Sequence, residues 1–532
     1  DNYDNRSTYK AYASTSSLAS GSRGTYADTS SQSKNTYADA IATLNKSFND
    51  WSVNVNLGVS LSDSRYEMIG YEGGLKLINF FAVHNIDFNK AWKAKQSGWH
   101  DQTRAIFANA EIGWKSMIYL TATGRNDWDS RLAFSDYKSF FYPSVGLSAI
   151  LTSMFNAPDW LTYLKVRGSY TEVGNSYGRF MTTVTYPYDE QTQNWTSTSS
   201  YPNTKLKPER TKSWEVGLDA RILNDISLNL TYYRSNTYNQ TFYADLSLSS
   251  GYSNIPIQSG NIMNEGIEMA LGYNKQWKDF SFNTNYTLTW NKNRVKRLAD
   301  GVYNYATGQS IQMPELSPLT YGHTDARLIL RVGGSMGDVY GQRLLKRDLN
   351  GYILNEEGVG LTMENKETYL GSILPKMNMG WSLGFGYKGV NLGMTFTGRF
   401  GGIVISETQS VLDAAGVSKV SADVRDAGGV QINQGKVSAQ TYYQAIQGTA
   451  AYYTYSATNV RLGELSLSYT LPKKWFDNKV GMTVGLVGKN LWMIYCKAPF
   501  DPELTTSAAS NFYQGFDAYM LPSTRNFGFN IK

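Results

Sequence analysis

Two aspartates stand close together in the segment Gly124–Asp129, as Asp127 and Asp129. A pair of carboxylates is what a glycoside hydrolase places across a bound sugar, one as acid and the other as base or nucleophile. At the edge of a loop, however, such carboxylates are more often solvated or position other groups. Because no other residues complete a catalytic constellation, we predict that the protein is not an enzyme.

Two glycine-rich segments have the letters of nucleotide-binding loops. Gly384–Gly389 reads G-x-G-x-x-G, but that fingerprint needs a strand before it and a helix after it. Here the segment lies inside an alternating strand pattern and runs into a tight turn. Gly429 and Gly435-Lys436 are one residue too far apart for a P-loop, and Val437 replaces the required Ser or Thr. We therefore predict no nucleotide and no other cofactor.

Candidate metal ligands are sparse. The three histidines are too scattered for a local motif such as H-E-x-x-H: His84, His100 and His323. Asp348-Leu349-Asn350-Gly351, followed by Glu356 and Glu357, loosely resembles a calcium loop, but the full ligand spacing is absent. An ordinary Asn-Gly turn in a loop is favoured, and no metal site is predicted.

Aromatic residues are frequent in the long polar stretches of the sequence. Aromatic faces stack on sugar rings, and tyrosine adds a hydroxyl, so these side chains are candidates for contact with a substrate or a partner protein. The alternative is that they pack against other loops, and the sequence leaves both interpretations open. The candidates are Trp195, Tyr201, Tyr303, Tyr305, Tyr321, Tyr442, Tyr443, Tyr452 and Tyr453.

The elements that position these residues are β-strands, because apolar and polar residues alternate with a period of two along most of the chain. No long amphipathic helix is indicated. The clearest alternating segments are Trp51–Leu61, Trp214–Ile222, Ile226–Tyr232, Phe280–Trp290, Trp381–Tyr387, Val390–Phe396, Leu465–Leu471, Val480–Leu486 and Phe527–Ile531.

The composition fits strands that face lipid on one side. Mean hydropathy is −0.39, and no run approaches the ~18 apolar residues that a spanning helix needs. A barrel exposes only every second side chain to lipid, so its mean hydropathy stays modest. The net charge is +6 without a concentrated basic stripe, which argues against nucleic acid. A single cysteine, Cys496, excludes an internal disulfide framework.

Short and long connections alternate between the strands, which is typical of outer-membrane barrels with short periplasmic turns and long extracellular loops. We predict an all-β fold, a transmembrane antiparallel β-barrel with about sixteen strands in this chain. A soluble sandwich or propeller is the alternative. The short connections are Asn49-Asp50, Asn224-Asp225, Gln276–Asp279, Lys388-Gly389 and Pro472–Lys479; the long ones are about 62–103, 174–210, 241–262, 295–376, 400–456 and 491–523.

Tryptophans beside the short turns are expected to form a periplasmic aromatic girdle: Trp160, Trp277 and Trp475. A further series of short motifs runs in order from about residue 119 to the end: Gly124–Trp128, Phe141–Gly146, Leu164–Tyr170, Leu206–Arg210, Trp214–Gly217, Asn261–Glu268, Asn459–Pro472, Val487–Leu491, Phe500–Leu504 and Leu521–Arg525. Their order and spacing resemble the C-terminal barrel portion of SusC-family (SusC/RagA type) TonB-dependent outer-membrane transporters.

The resemblance implies a barrel of about twenty-two strands, of which residues 1–532 would form the C-terminal portion. The plug domain and the TonB-binding segment of the family are not found in this chain, and it opens on Asp1–Asp4 without a signal peptide. The remaining N-terminal plug and barrel portion would then belong to another chain or to a longer protein.

The function implied by the resemblance is TonB-dependent import of a nutrient, an oligosaccharide or else a peptide, across the outer membrane of a Gram-negative bacterium. The implied partners are a SusD-like surface lipoprotein, TonB acting through the plug region, and outer-membrane lipid. A passive general porin is the alternative function, because sixteen strands suffice for a complete porin. A surface glycan-binding protein without transport would be supported by a lipoprotein cysteine at the mature start, where this chain has Asp1.

Overall fold

One antiparallel sheet of sixteen strands dominates the computed structural model, which describes residues 1–14, 22–89, 92–189, 194–196, 198–298, 302–304, 307–311, 314–356, 360–504, 506 and 513–532. Each strand pairs with its neighbours in chain order. The strands are β1 (Asn2–Ala11), β2 (Thr25–Phe48), β3 (Trp51–Gly74), β4 (Trp92–Trp114), β5 (Ile118–Asp129), β6 (Phe140–Ile150), β7 (Leu161–Asn175), β8 (Glu209–Ile222), β9 (Ile226–Asp245), β10 (Asn254–Trp277), β11 (Phe280–Arg297), β12 (Met377–Tyr387), β13 (Val390–Phe400), β14 (Asn459–Thr470), β15 (Thr483–Cys496) and β16 (Asn526–Ile531).

The register of the sheet brings the apolar positions of neighbouring strands onto one face. Leu218 lies opposite Leu230, Leu230 opposite Met269, and Met269 opposite Leu288. Because successive residues of a strand point to opposite faces, the polar residues between them share the other face. The sheet therefore has a lipid-facing apolar side and a polar side that faces the lumen, which confirms the predicted antiparallel barrel architecture.

Aromatic residues border the apolar band at both ends. Trp160, Trp277 and Trp475 lie at the short-turn end and are 51%, 46% and 60% exposed, as the predicted girdle requires. At the opposite end Trp214 lies across from Tyr170, and its ring centroid is 5.3 Å from that of Tyr232. Amphipathic rings at both borders are typical of a barrel wall crossing two membrane–water interfaces.

Most short turns have the predicted positions, but the connection predicted as Pro472–Lys479 is longer, because β15 begins at Thr483 and not at Val480. The turn between β12 and β13 consists of Lys388 and Gly389, whose φ angles are +45° and +90°. Two consecutive positive φ angles are what a two-residue type I′ hairpin turn needs, and its twist matches that of the flanking strands. The segment Gly384–Gly389 accordingly ends a strand at a hairpin, in agreement with the interpretation that it is not a nucleotide-binding loop.

Two predicted loops, 62–103 and 241–262, are mostly strand, and the prediction was wrong there. Strand β3 continues to Gly74 and β4 begins at Trp92, while only 246–253 separates β9 from β10. Cross-strand hydrogen bonds join backbone groups, so pairing continues beyond the apolar band although the side-chain alternation ends. These hairpins therefore extend the wall above the membrane on the side of the long loops.

The two longest connections, 298–376 and 401–458, contain their own secondary structure. Three short helices begin at serines whose side chains accept a backbone N–H of the first turn, as N-cap residues do. They are α1 (Glu407–Ala414), α2 (Lys419–Asp426) and α3 (Ala439–Ile446). Of the helices within the described ranges, none has the length and apolar character to cross a membrane.

Short strands complete the loop structure. The largest loop sheet has four strands, and the others have two or three. The four-stranded sheet consists of Glu315–Thr320, Arg327–Arg331, Asp338–Leu345 and Met363–Ser372; the further pairs and bridges use Tyr188–Asp189, Asn194–Trp195, Val302–Asn304, Gln309–Ile311, Asn355–Glu356, Gly360–Leu361, Ile403–Ser406, Val430–Ile432, Gly435–Val437, Thr454–Ser456 and Phe516–Asp517.

Hydrophobic cores join the last three long connections. One core contains Tyr321, Val339, Ile405 and Phe516, which come from segments 298–376, 401–458 and 497–525. A second contains Leu345, Ile432, Tyr443 and Tyr453, among others. Because a loop can keep a defined shape only when it buries apolar surface, these cores make the three connections one packed unit over the barrel mouth.

The sheet ends at two edges. In the part of the chain that the structure describes, β1 pairs with β2 alone and β16 with β15 alone. On β16, Phe527, Phe529 and Ile531 are 78%, 68% and 60% exposed. Each edge presents backbone N–H and C=O groups that can pair with a further strand.

Candidate functional site

The motif Asn459–Pro472 starts with a buried cluster that fixes the last long connection to the barrel wall. Arg461 donates from Nη2 to Asp501 Oδ1 (2.8 Å) and from Nη1 to Asp501 Oδ2 (3.0 Å). Asn459 accepts from Arg461 Nε (3.1 Å) and donates to Glu503 Oε1 (3.1 Å). We call Asn459, Arg461, Asp501 and Glu503 the Arg461 cluster. A bidentate arginine–carboxylate pair gives both energy and a fixed geometry.

The Arg461 cluster explains what the motifs Asn459–Pro472 and Phe500–Leu504 do in the structure. Burial alone would raise the pKa of Asp501, but the hydrogen bonds and charge of Arg461 outweigh it and keep this pKa below its ordinary value. The carboxylate therefore stays ionised at neutral pH and keeps its arginine partner. The motifs Asn459–Pro472 and Phe500–Leu504 position a loop and do not form a substrate pocket by themselves.

Asp127 is not a solvated carboxylate. It is 7% exposed, accepts from Arg125 Nε at 2.6 Å and from the Tyr142 hydroxyl at 2.8 Å. Alternation places all three side chains on the lumen face at the loop end of β5 and β6. Of the two alternatives for this carboxylate, solvated or positioning, the structure therefore supports the second.

Asp129 is 6% exposed and ties two loops to the wall. It accepts from Arg131 Nη2 at 2.6 Å, from the Ser176 hydroxyl at 2.8 Å and from the Thr103 hydroxyl at 3.2 Å. Arg131 belongs to the connection after β5 and Ser176 to the connection after β7. A carboxylate so fully hydrogen-bonded has no free lone pair directed at a substrate, so it serves to position the loops.

The lumen face carries further charges closer to the short turns. Arg167 donates to Asp219 Oδ2 at 2.8 Å and to the Thr231 hydroxyl at 2.6 Å. This ion pair and hydrogen bond connect three neighbouring strands. A neighbouring cavity of about 490 Å³ is lined by Glu111, Lys165 and Glu215, none of which forms an ion pair within the described residues. These side chains are available to contact a domain or solute inside the barrel.

The turn at Asp348–Gly351 uses its carboxylate for backbone hydrogen bonds. Asp348 Oδ1 accepts from the N–H groups of Asn350 and Tyr352, each at 2.9 Å, and Gly351 has a φ of +84°. This is the predicted Asn-Gly turn. Glu357 lies outside the described residues. Within the described ranges, no group of three or more His, Cys, Asp or Glu side chains could hold a metal ion.

Three of the aromatic candidates are buried inside the loop cores. Tyr321, Tyr443 and Tyr453 are 0%, 5% and 3% exposed. The ring of Tyr321 lies 5.2 Å from that of Phe516, and the Tyr453 hydroxyl has no hydrogen-bond partner among the described residues. Burial raises the pKa of both hydroxyls. For these residues the structure supports packing against other loops, because an enclosed ring cannot stack on a sugar.

Three further candidates are half-buried. The Tyr452 hydroxyl accepts from the Leu345 N–H at 3.1 Å. The Tyr442 ring meets that of Tyr443 edge-on at 5.1 Å, and burial raises the pKa of Tyr442 to about 12. Tyr201 meets Tyr252 in the same way at 5.2 Å. One side of each ring packs on a loop, so these residues can contribute only part of their surface to a ligand.

Two candidates are well exposed. Trp195 is 71% exposed, and Tyr303 is 50% exposed. The ring of Trp195 meets Tyr188 edge-on at 5.1 Å, and Tyr188 is itself 50% exposed. Tyr305 lies outside the described residues. The assignment to substrate or partner contact stays a prediction, and it now rests chiefly on Trp195, Tyr188 and Tyr303.

The sequence interpretation missed one aromatic platform. The guanidinium carbon of Arg179 lies 3.6 Å from the ring centroid of Trp99, and Arg179 Nε donates to Asp101 at 2.6 Å. Tyr66 continues the surface on the next strand, with its ring stacked 5.9 Å from Trp99. The segments were predicted as loop, so the alternation that places Trp99 and Asp101 on one face was not used.

Comparison with known proteins gives one family. The family described as "TonB dependent receptor-like, beta-barrel" matches residues 1–491. TonB-dependent receptor P3 of Formosa agariphila is 24% identical over 92% of this chain and 51% of its own length. TonB-dependent receptor SusC of Bacteroides thetaiotaomicron is 25% identical over 45% of this chain and 22% of its own length.

The fold is similar to that of solved structures. The similarity to the RagAB peptide transporter covers 100% of this chain and 58% of the transporter chain, with a TM-score of 0.79 and 18% sequence identity. The RagAB peptide importer in the open-open state gives a TM-score of 0.78. At this identity the similarity concerns the fold alone. The chain spans about half the length of the first curated relatives it matches.

Proposed function

Because the chain belongs to the TonB-dependent receptor-like β-barrel family of Gram-negative outer-membrane proteins, we propose that it forms the C-terminal barrel portion of an active nutrient importer of the SusC/RagA type. The observation that carries the proposal is the family match along residues 1–491 of a sheet whose lumen face is polar and charged. The same match favours an active importer over the passive porin.

The sheet edges support the assignment to a portion of a larger barrel. Inside a bilayer every backbone polar group needs a partner, so a spanning sheet must close. The edges β1 and β16 have no second neighbour within the described residues. Additional strands from the remainder of a longer protein would close the barrel between them, and that remainder would also carry the plug and the segment that TonB pulls.

The proposed substrate is an oligosaccharide captured between the long loops and a SusD-like lipoprotein lid. The exposed aromatic residues Trp195, Tyr188 and Tyr303 supply flat apolar faces with hydrogen-bonding edges, which suit sugar rings. A peptide is the second candidate, because the structures similar in fold are of a peptide transporter. The packed loop cores would give the lid a stable surface to close on.

Energised transport is tested with the full-length transporter in cells. We expect uptake of a labelled oligosaccharide or peptide to require TonB and the proton gradient, and a surface lipoprotein to co-purify with the barrel. The proposal fails if uptake is unchanged after TonB is deleted and the proton gradient is collapsed, since a passive porin would behave in that way.

The aromatic assignment is tested by two variants. Trp195→Ala is expected to weaken uptake at low substrate concentration and to leave the level of folded transporter unchanged, because the side chain is 71% exposed. Tyr321→Ala is expected to lower loop stability by about 3 kcal/mol through a cavity in the loop core. Normal substrate affinity in Trp195→Ala would remove this residue from the site.

We also retain the prediction that the chain catalyses no reaction.

A further inference from the structure

Cations cluster on the lipid-facing side of the wall, just above the outer aromatic border. Register places Arg234 directly across from Trp214 and from Glu265, and Glu265 across from Lys292. Lys292 and Arg294 follow Trp290 on the same face of β11 at successive outward positions. Apolar side chains below this level face acyl chains, so the cations lie where lipid headgroups begin.

A cavity opens in the wall at the same level. Pairing of β11 with β12 ends at Trp290 and Met377, although β11 continues to Arg297. Above that point the turn Gly333–Ser335 approaches β11, and Met336 N–H donates to Asn293 Oδ1 at 2.8 Å. The space left between them is a cavity of about 670 Å³. Its lining includes the cations Lys292, Arg294 and Lys376.

The carboxylates near this cavity neutralise its cations only in part. Glu265 lies 3.7 Å from Lys292, a loose contact. Asp338 is 6% exposed and accepts from the Tyr369 hydroxyl (3.1 Å) and the Ser335 N–H (2.8 Å). Burial raises the pKa of Asp338, and both of its carboxylate oxygens are already used in these hydrogen bonds. Arg234, Arg294 and Lys376 form no ion pair within the described residues.

We propose that Lys292, Arg294 and Lys376 bind the phosphorylated headgroup of an outer-leaflet lipid, which occupies the cavity beside Trp290. Charge and depth together select this ligand. Basic pockets between membrane-spanning elements at headgroup level suit anionic lipid, and the acyl chains would run down the apolar face past Trp290 and Leu288. Trp290, Lys292 and Arg294 line the cavity from the lipid face and Asn291 and Asn293 from the lumen face, and the lipid-facing cations are the part that a headgroup would reach.

A solvated ring of charges is the ordinary alternative, and a matched site on the same barrel distinguishes the two. On β4, Arg104 is the next outward residue after Ile106 on the lipid face, just as Lys292 is the next outward residue after Trp290 on β11. Arg65 lies on the neighbouring strand β3. Arg65 pairs with Asp63 at 3.2 Å, and Arg104 donates to Gln102 at 3.0 Å. Both cations lie outside the cavity beside Trp290, and Arg104 lines a separate cavity with Ile106 and Trp128, so the pair reports the loss of two charges elsewhere on the lipid face.

The experiment is native mass spectrometry of the full-length transporter in detergent, titrated with diphosphoryl lipid A and with the same lipid stripped of its phosphates. We expect the phosphorylated lipid to bind preferentially. The Lys292→Gln/Arg294→Gln variant should bind it with an affinity reduced at least about tenfold. The control Arg65→Gln/Arg104→Gln should bind as the parent does.

Competition separates a lipid site from a phosphate site. Millimolar inorganic phosphate should not displace the lipid, because the acyl contacts with the wall contribute to binding. Equal binding of the two lipids, or an equal loss in the control variant, would overturn the proposal. Displacement by inorganic phosphate would also overturn it and would indicate a site for the free anion. Retained detergent-stable folding of both variants establishes that any loss is one of binding.

Discussion

Arg461 makes the main polar contact between the last long connection and the barrel wall. Its side chain is 10% exposed, and its partner Asp501 is 9% exposed. Removing one member of a buried pair leaves the other charge without compensation, which costs several kcal/mol. At the scale of single residues, this buried ion pair thus holds the last long connection in place against the wall.

The first prediction concerns that pair. Arg461→Ala should destabilise the docked loop by about 3 kcal/mol, so that proteases cleave within 497–525 much faster in the full-length protein. The control Lys419→Ala removes an exposed pair between Lys419 and Asp423 and should leave cleavage unchanged. Equal cleavage of the Arg461 variant and the parent would show that the hydrophobic loop core alone fixes the segment.

A second prediction concerns pH. The pKa of Asp501 is lowered in the folded protein, so the ionised carboxylate adds stability above its ordinary pKa of about 4. That stability is lost as pH falls through the lowered value. Hydrogen exchange in residues 497–504, corrected for intrinsic rates, should therefore show undocking below about pH 4.

The neutral variant tests whether Asp501 is responsible for the pH response. Asp501→Asn should show weaker docking at neutral pH and little further change on acidification, because no carboxylate remains to titrate at this position. If the variant undocks over the same pH range as the parent, another group controls the response.

At the scale of strands, alternation decides which substitutions the wall accepts. Leu147 on β6 is 55% exposed and faces lipid, whereas the adjacent Ser148 faces the lumen and lines the cavity with Glu111 and Glu215. One residue of displacement along a strand therefore changes the solvent from hydrocarbon to water.

The third prediction compares these neighbours. Leu147→Arg should cost about 2–4 kcal/mol near the middle of the bilayer and reduce the amount of folded full-length protein. Ser148→Arg should be tolerated far better, because the lumen is aqueous and the carboxylates of Glu111 and Glu215 offset the cations of Lys165 and Arg167 in the same cavity. Folded and unfolded forms separate by their mobility in unheated gels. Similar folded fractions for both variants would contradict the assignment of the two faces.

At the scale of the whole molecule, the described residues leave the sheet with two edges, β1 and β16, that have one neighbour each. Strand β16 joins the sheet through β15, and its outward residues Phe527, Phe529 and Ile531 are exposed. An unpaired edge cannot remain in a bilayer, so both edges need partner strands. Barrel closure is therefore a property of the longer protein that we propose.

The fourth prediction concerns that closure. Deleting Asn526–Lys532 from the full-length protein should abolish its accumulation in the outer membrane, because the last pairing edge is lost. The variant Phe527→Leu/Phe529→Leu keeps the alternation and the backbone and should accumulate normally. Quantitative immunoblotting of outer-membrane fractions provides the measurement. Normal accumulation of the deletion would mean that β15 can close the barrel.

The sequence by itself determined the strands, the hairpin turns and the two faces of the wall. Period-two alternation is a local property, so segments such as Ile226–Tyr232 were assigned correctly without any knowledge of their neighbours. The turn Lys388-Gly389 was equally accessible, because glycine permits the positive φ that a tight hairpin requires.

Only the tertiary structure decided how far the strands continue and what the loop residues contact. Backbone pairing carries β3 to Gly74 without any side-chain signal, because hydrogen bonds between backbones do not depend on residue type. Arg461 and Asp501 stand forty residues apart in the chain and form one ion pair. Trp195 is exposed and Tyr321 buried although both lie in polar stretches, because burial depends on contacts between distant segments.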